Sequence, residues 1–288
     1  MNKLTLIQPD DWHLHVRHGA ILNTVIAHTA KQFGRAIIMP NLNPPIITVD
    51  QALEYREEII NALPESSSFS PLMTLYLSNT LTPEEIKKAA ASEHIHAIKL
   101  YPAGATTNSD SGVSDLKAIY PLLKTMEAVD LPLLIHGEVT NQDCDIFDRE
   151  KEFVSSSLSD IVKNFPNLRI VVEHVTTKEA VDFVLSASDK VAATITPQHL
   201  LFNRNAILAG GIRPHHYCLP IIKREHHRLA LVKAATSGNP KFFLGTDSAP
   251  HLTGAKESSC GCAGCYSAYG AMELYTEVFE QENALDKL

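Results

Sequence analysis

His13 and His15 stand two residues apart, a spacing that puts both imidazoles on one face of an extended strand, where they can share a metal ion. Arg17 continues that face. Taken alone, a His-x-His pair suits two polar residues on a half-exposed strand equally well. Beside Trp12 and Leu14, on a strand that reads as buried, two unpartnered imidazoles would be costly, which favours a metal. Lys99 is the odd residue of His96-Ala97-Ile98-Lys99-Leu100-Tyr101. A lysine in an apolar strand snorkels, pairs with an acid or, near two divalent metals, loses its proton and combines with CO2 as a bridging carbamate. His136 and His174 are isolated, and a lone strand histidine is ordinarily a satisfied core residue; their matching places at the ends of apolar runs raise them. Asp247, in Leu244-Gly245-Thr246-Asp247-Ser248, offers the carboxylate that an all-His/Lys set lacks. Cys260, Cys262 and Cys265 could hold zinc or part of an iron–sulfur cluster, but a fourth ligand at motif spacing is missing unless Cys218 supplies it. The intervening glycines equally suit a loop whose backbone approaches a ligand. His215-His216 and His226-His227 read as solvated or structural, and His28 and His94 as helix-surface residues.

The elements that would position these residues alternate along the chain. Candidate strands are Thr5–Gln8 running on toward His15, Arg35–Asn41, Leu72–Ser78, Ala97–Tyr101, Leu133–Gly137, Arg169–His174, Val191–Thr196 and Lys241–Thr246. Helical patterns lie near 20–33, 50–62, 83–92, 114–128, 151–164, 178–187, 226–237 and 267–283. Thr82-Pro83-Glu84-Glu85 has a capping hydroxyl, a first-turn proline and two acids; Ser114 and Thr177 read as similar starts. Alternation implies parallel strands joined by crossovers. A doubly wound sheet would string the reactive residues along an edge. A (β/α)8 TIM barrel brings His13, His15, Arg17, Asn41, Ser78, Asn79, Lys99, His136, His174, Thr196, Gln198 and Asp247 to the C-terminal face, and is therefore the expected fold.

The 288 residues carry no linker or charge run that would divide them, so 1–288 reads as a single barrel domain. A content of 44% hydrophobic and 20% charged residues is that of a globular chain. No apolar run approaches the ~18 residues of a membrane span, and the N-terminus turns polar too soon for a signal peptide. A formal charge of −8 argues against nucleic acid and anionic membranes as partners. Five cysteines, three of them crowded together, do not form a secreted disulfide framework, and a cytoplasmic setting is expected.

Together these residues resemble a known family. Asp11-Trp12-His13-Leu14-His15-Val16-Arg17 is similar to the amino-terminal signature of dihydroorotases, within the metal-dependent amidohydrolase superfamily. Met39-Pro40-Asn41, Lys99-Leu100-Tyr101-Pro102, Ile135-His136-Gly137-Glu138, Glu173-His174, Thr194-Ile195-Thr196-Pro197-Gln198-His199 and Gly245-Thr246-Asp247-Ser248-Ala249-Pro250-His251 resemble its later blocks. The match is to the shorter, single-function branch and covers essentially the whole chain. It implies two zinc ions, one held by His13, His15 and Asp247 and the other by His136 and His174, with N6-carboxylated Lys99 and a hydroxide bridging them. Arg17, Asn41 and His251 match positions that bind the substrate carboxylate, and Leu219 and Ala263 match backbone contacts to the pyrimidine ring. Thr106 and Thr107 match a loop that closes over substrate.

The resemblance further implies reversible hydrolysis of (S)-dihydroorotate to N-carbamoyl-L-aspartate, with Asp247 as the proton carrier, in a homodimer. Hydantoinases and dihydropyrimidinases open similar rings without the carboxylate, and a non-catalytic partner protein of this fold would lose metal ligands; both are the alternatives. Two departures stand out. His18 occupies a place where an acid is expected, and family members continue some tens of residues past Leu288.

Overall fold

Eight short strands, β1 (Asp10–Leu14), β2 (Arg35–Ile38), β3 (Ser70–Leu77), β4 (Ile95–Leu100), β5 (Leu133–Ile135), β6 (Ile170–Val172), β7 (Val191–Ile195) and β8 (Phe242–Leu244), pair in parallel and in chain order in the computed structural model, which describes residues 3–288. The sheet closes on itself beside the reactive residues. Asp247 N–H donates to His13 O at 2.8 Å, and His15 N–H donates to Ser248 O at 3.1 Å, joining the end of β8 to the end of β1. The fold is a (β/α)8 barrel, the architecture expected from the need to bring the reactive residues to one face.

Inside the barrel a small cluster of Ile37, Met39, Leu72, Ala97 and Leu134, with Trp12 and Val171 against it, fills the end away from the site. Lys99, two residues beyond Ala97 on β4, points its side chain the same way and is fully buried. The main core lies between the strands and the outer helices, where Leu22, Ile26, Ile59, Ile86, Leu123 and Val184 are buried.

The helices follow the predicted segments with instructive exceptions. Thr82 and Thr177 cap their helices, accepting from Glu85 N–H and Ala180 N–H at 3.2 Å each. Ser114 starts no helix: the Asp115 carboxylate takes the Lys117 N–H instead, and the helix begins only at Tyr120 (Tyr120–Ala128). The expected 151–164 helix is interrupted by a π turn at Val154–Leu158 between Arg149–Phe153 and Ser159–Asn164. His94 sits in the bend before β4, not on a helix. Short helices at Pro197–Leu201, Asn205–Leu208 and Thr253–Lys256 carry no amphipathic pattern in the sequence, and they build the rim of the site.

Candidate metal centre and substrate pocket

His13 and Lys99 lie on β1 and β4 themselves, whereas the other residues that matter sit on loop positions beyond the strand ends. Arg17, His174 and Asp247 hold φ values of 61°, 41° and 47°. Non-glycine residues in this left-handed region cost roughly 1–2 kcal/mol each, strain typical of sites where side-chain aim outweighs backbone comfort. Gly245 is needed for a different reason. A Cβ there would lie 2.8 Å from Thr194 Cβ and 3.1 Å from His13 Cβ, so any side chain would push the closing seam apart.

His13, His15 and Asp247 converge. His13 Nε2 lies 3.3 Å from His15 Nε2 and 3.4 Å from Asp247 Oδ1, and His15 Nε2 is 3.2 Å from the same oxygen. His13 Nδ1 is hydrogen-bonded to Glu173 Oε2, which assigns the ring proton to Nδ1 and leaves the Nε2 lone pair facing the cluster. Burial lowers the His15 imidazole to about 3, against a weaker pull from Asp247, so it is neutral at pH 7. Burial alone would raise Asp247, but His13 and His15 outweigh it and hold the carboxyl at about 2. Two imidazoles and one carboxylate on a common point form a donor set suited to a divalent metal.

The second group is next to the first. The ring centres of His13 and His174 are 4.9 Å apart and those of His136 and His174 are 4.8 Å apart. His174 Nδ1 is buried without a partner, and burial together with Lys99 holds this imidazole well below its usual pKa. His136 Nε2 is bonded to Glu138 Oε2 at 2.8 Å. Lys99 Nζ also has no hydrogen-bond partner, and burial lowers its ammonium to about 8 despite Glu173 and Asp247 nearby. Orphaned buried polar atoms are rare in folded proteins, and two of them, His174 Nδ1 and Lys99 Nζ, belong to this cluster of titratable side chains. His13, His15 and Asp247 fit a metal ion, and His136, His174 and Lys99 lie beside them.

Above this floor lies a cavity of about 20 Å3 lined by Arg17, Asn41, Thr106, Thr107, Leu219, Ala263 and the histidines. The loop that carries the threonines is folded down over it. Asn41 Nδ2 donates to Thr107 O at 3.0 Å, Asn108 Nδ2 donates to Asn41 O at 3.0 Å, and Thr107 Oγ1 donates to Ala263 O at 3.3 Å. Such a space holds about one water, so a ring-sized ligand requires that loop to lift. Arg17 is half-buried and pairs with no carboxylate among the described residues; Nε donates to Pro250 O at 3.3 Å, and desolvation of the guanidinium pulls its pKa down. His251 Nε2 lies 3.0 Å from Ala263 O and 3.4 Å from an Arg17 nitrogen. That ring nitrogen donates to the carbonyl, so the longer approach to the guanidinium, itself only a donor, is no hydrogen bond.

A family model described as "Amidohydrolase family" matches residues 4–282. A dihydroorotase of Acaryochloris marina is 62% identical over 288 residues, covering 100% of this chain and 84% of the relative. The chain belongs to the amidohydrolase family, in its dihydroorotase branch. Two solved dihydroorotases superpose on it. One, from Saccharomyces cerevisiae in complex with 5-fluoroorotic acid, has 38% identity and a TM-score of 0.89, covering 97% of this chain and 80% of the other. The second, from Campylobacter jejuni, has 37% identity and a TM-score of 0.88 with the same coverage. Like other amidohydrolases this one presents its polar set at the C-terminal ends of the barrel strands. No helix among its described residues is long and apolar enough to cross a membrane.

His13, His15, Arg17, Asn41, Thr106, Thr107, His136, His174, Leu219, Asp247 and Ala263 line this one pocket, with Lys99 and His251 beside it, whereas Cys218, Cys260, Cys262 and Cys265 do not line it. His18 is peripheral: it pairs with Glu58 at 2.6 Å on the surface. Three carboxylates carry more of the site than the sequence reading gave them. Glu173 orients His13, Glu138 orients His136, and Asp11 accepts from Thr246 N–H at 2.8 Å, Thr246 Oγ1 at 2.6 Å and His13 N–H at 3.2 Å, tying β1 to the end of β8. The signal available for Asp11 was period two: it precedes His13 by the same step that separates His13 from His15. Burial raises its carboxyl to about 7 in spite of these donors.

Proposed function

We propose that this chain is a zinc-dependent dihydroorotase that reversibly converts (S)-dihydroorotate and water to N-carbamoyl-L-aspartate in pyrimidine biosynthesis. The observation that carries the reading is Arg17, a half-buried guanidinium that pairs with no carboxylate among the described residues and lines the same small pocket as the His/Asp cluster. Such a cation calls for a ligand anion. Dihydroorotate carries a carboxylate, as does the 5-fluoroorotic acid bound to the yeast relative.

Two zinc ions held by His13, His15 and Asp247 and by His136 and His174, with carboxylated Lys99 between them, would lower the pKa of a water from 15.7 to about 7 and polarise the ring amide. Lys99 meets the first requirement for carboxylation, since burial favours its neutral amine, the form that adds to CO2. Asp247 is held as a carboxylate and can accept a proton from the attacking water, then return it to the departing ring nitrogen. In synthesis the same carboxyl must start protonated. Arg17, assisted by Asn41 and His251, grips the substrate carboxylate and so decides which carbonyl faces the metals. Leu219 and Ala263 meet the ring through backbone groups, and Thr106 and Thr107 close over it and keep bulk water out. The cysteine loop, as the segment carrying Ala263, belongs to the substrate side of the site.

Residues 1–288 are read as one barrel domain, working in the cytoplasm as a homodimer. The hydantoinase alternative leaves Arg17 with no anion to meet, and the non-catalytic alternative leaves a complete donor set without a use. Steady-state turnover of dihydroorotate against dihydrouracil, the same ring without its carboxylate, separates these readings. A strong preference for dihydroorotate supports the proposal; equal turnover of both rings would remove the carboxylate role of Arg17.

A further inference from the structure

Lys256 ends the short helix Thr253–Lys256, between His251 and the cysteine loop. It is buried at 4% exposure, and among the described residues it forms no ion pair. Its Nζ instead donates to two backbone carbonyls, Tyr217 O at 2.9 Å and Cys262 O at 2.6 Å, and lies 5.9 Å from the centre of the Tyr217 ring. Burying an ammonium against carbonyls alone is costly, so what those carbonyls belong to matters. Tyr217 O also accepts Gly264 N–H at 3.0 Å, so the segment leading into Leu219 and the segment around Ala263 are knitted together at one point. The second segment does not hold its own shape. Gly261 and Cys262 have φ of 68° and 25°, and at Gly264, with φ of 151°, a Cβ would come within 2.8 Å of Ala249 Cβ.

A peptide unit is planar and trans, so its C=O and the following N–H point to opposite sides. With Cys262 O drawn onto Nζ, the Ala263 N–H is aimed away from Lys256, and Ala263 lines the substrate pocket. No described residue accepts that N–H. We infer that Lys256 is a positioning residue: by fastening Tyr217 O and Cys262 O it fixes the Leu219 and Ala263 backbone groups against which the substrate ring docks. The inference rests on the dihydroorotase reading above. Lys256 hydrogen-bonds neither the metal-binding cluster nor Arg17, so its loss should act on substrate binding and leave the metal in place.

Lys256→Met keeps the apolar stem and removes the ammonium. In the zinc-loaded protein, KM for dihydroorotate should rise about tenfold, the equivalent of losing one well-made hydrogen bond to the ring. Turnover at saturation should stay within about threefold of wild type, since the interaction lost is one of ground-state binding. Zinc content and Tm should be unchanged, and Lys256→Arg, which retains a cation with several donors, should recover part of the lost affinity. A folded Lys256→Met protein with wild-type KM overturns the inference. So does a variant that fails to fold, or that loses zinc and thermal stability in step with binding, since Lys256 would then belong to the fold rather than to the ring. Failure of the wild-type protein to turn over dihydroorotate would instead overturn the functional reading beneath it.

Discussion

Replacing Lys99 with Met should move the stability of the protein in opposite directions with and without metal. The side chain is fully buried, its Nζ has no hydrogen-bond partner, and its pKa falls from 10.5 to about 8. That fall is worth about 3 kcal/mol against the charged form. The group's pKa is depressed on folding, so the penalty is fully present below pH 8 and fades as pH rises toward its unfolded value. Met fills nearly the same volume without a charge to desolvate. The metal-free variant should therefore be about 3 kcal/mol more stable than metal-free wild type at pH 7, or about 5 °C in Tm for a chain of this size, with the gain shrinking above pH 8. Zinc should reverse the order. Loss of the bridging oxygens weakens metal binding, and each hundredfold in occupancy relative to Kd adds ~2.7 kcal/mol to the protein that still binds. Thermal melts of both proteins, stripped and zinc-loaded, at pH 7 and pH 9.5 or so, read all of this at once. A metal-free variant no more stable than wild type, together with full zinc content and normal turnover, would refute both the buried-amine penalty and the bridging role.

Arg17→Met should leave zinc content intact and weaken dihydroorotate binding by ~2–4 kcal/mol, read by titration; unchanged affinity would end the carboxylate assignment. Changing Thr106 and Thr107 together to Val should depress turnover far more than zinc content, and a wild-type rate would reduce the 104–109 segment to a connection. Asp247→Asn should abolish hydrolysis at every pH, because an amide can neither accept nor return the proton. In the intact enzyme, hydrolysis should rise with pH while synthesis falls, and parallel profiles in the two directions would contradict the proton-carrier role.

Much of this was legible in the sequence because barrel strands are short, apolar and regularly spaced, and because the reactive residues fall at or just past their C-terminal ends. Seven strands overlap the expected apolar runs and stop earlier, with β5 and β6 ending at Ile135 and Val172, before His136 and His174, whereas the first pairs only from Asp10, past the Thr5–Gln8 run that reads as its start. The backbone must leave the sheet to take the left-handed turn at His174, a conformation that residue type does not announce. Ser114 misled because a hydroxyl before an acid is only a local preference, and the Asp115 side chain captured the nearby N–H first. The carboxylates behind the histidines were hidden for a different reason. Glu173 meets His13 across 160 residues, and no local pattern encodes which imidazole a buried acid will orient. Lys256 is harder still, since its partners are backbone carbonyls on two other loops.

The central claim, a two-zinc dihydroorotase, is tested most directly by stripping the metal and restoring it in measured steps while following dihydroorotate hydrolysis. The account predicts no activity in the stripped protein and recovery that levels off at two zinc ions per chain, with CO2 required for full recovery. Complete activity without zinc, or a plateau reached with metal held on Cys260, Cys262 and Cys265 and lost on their replacement by Ser, would contradict it.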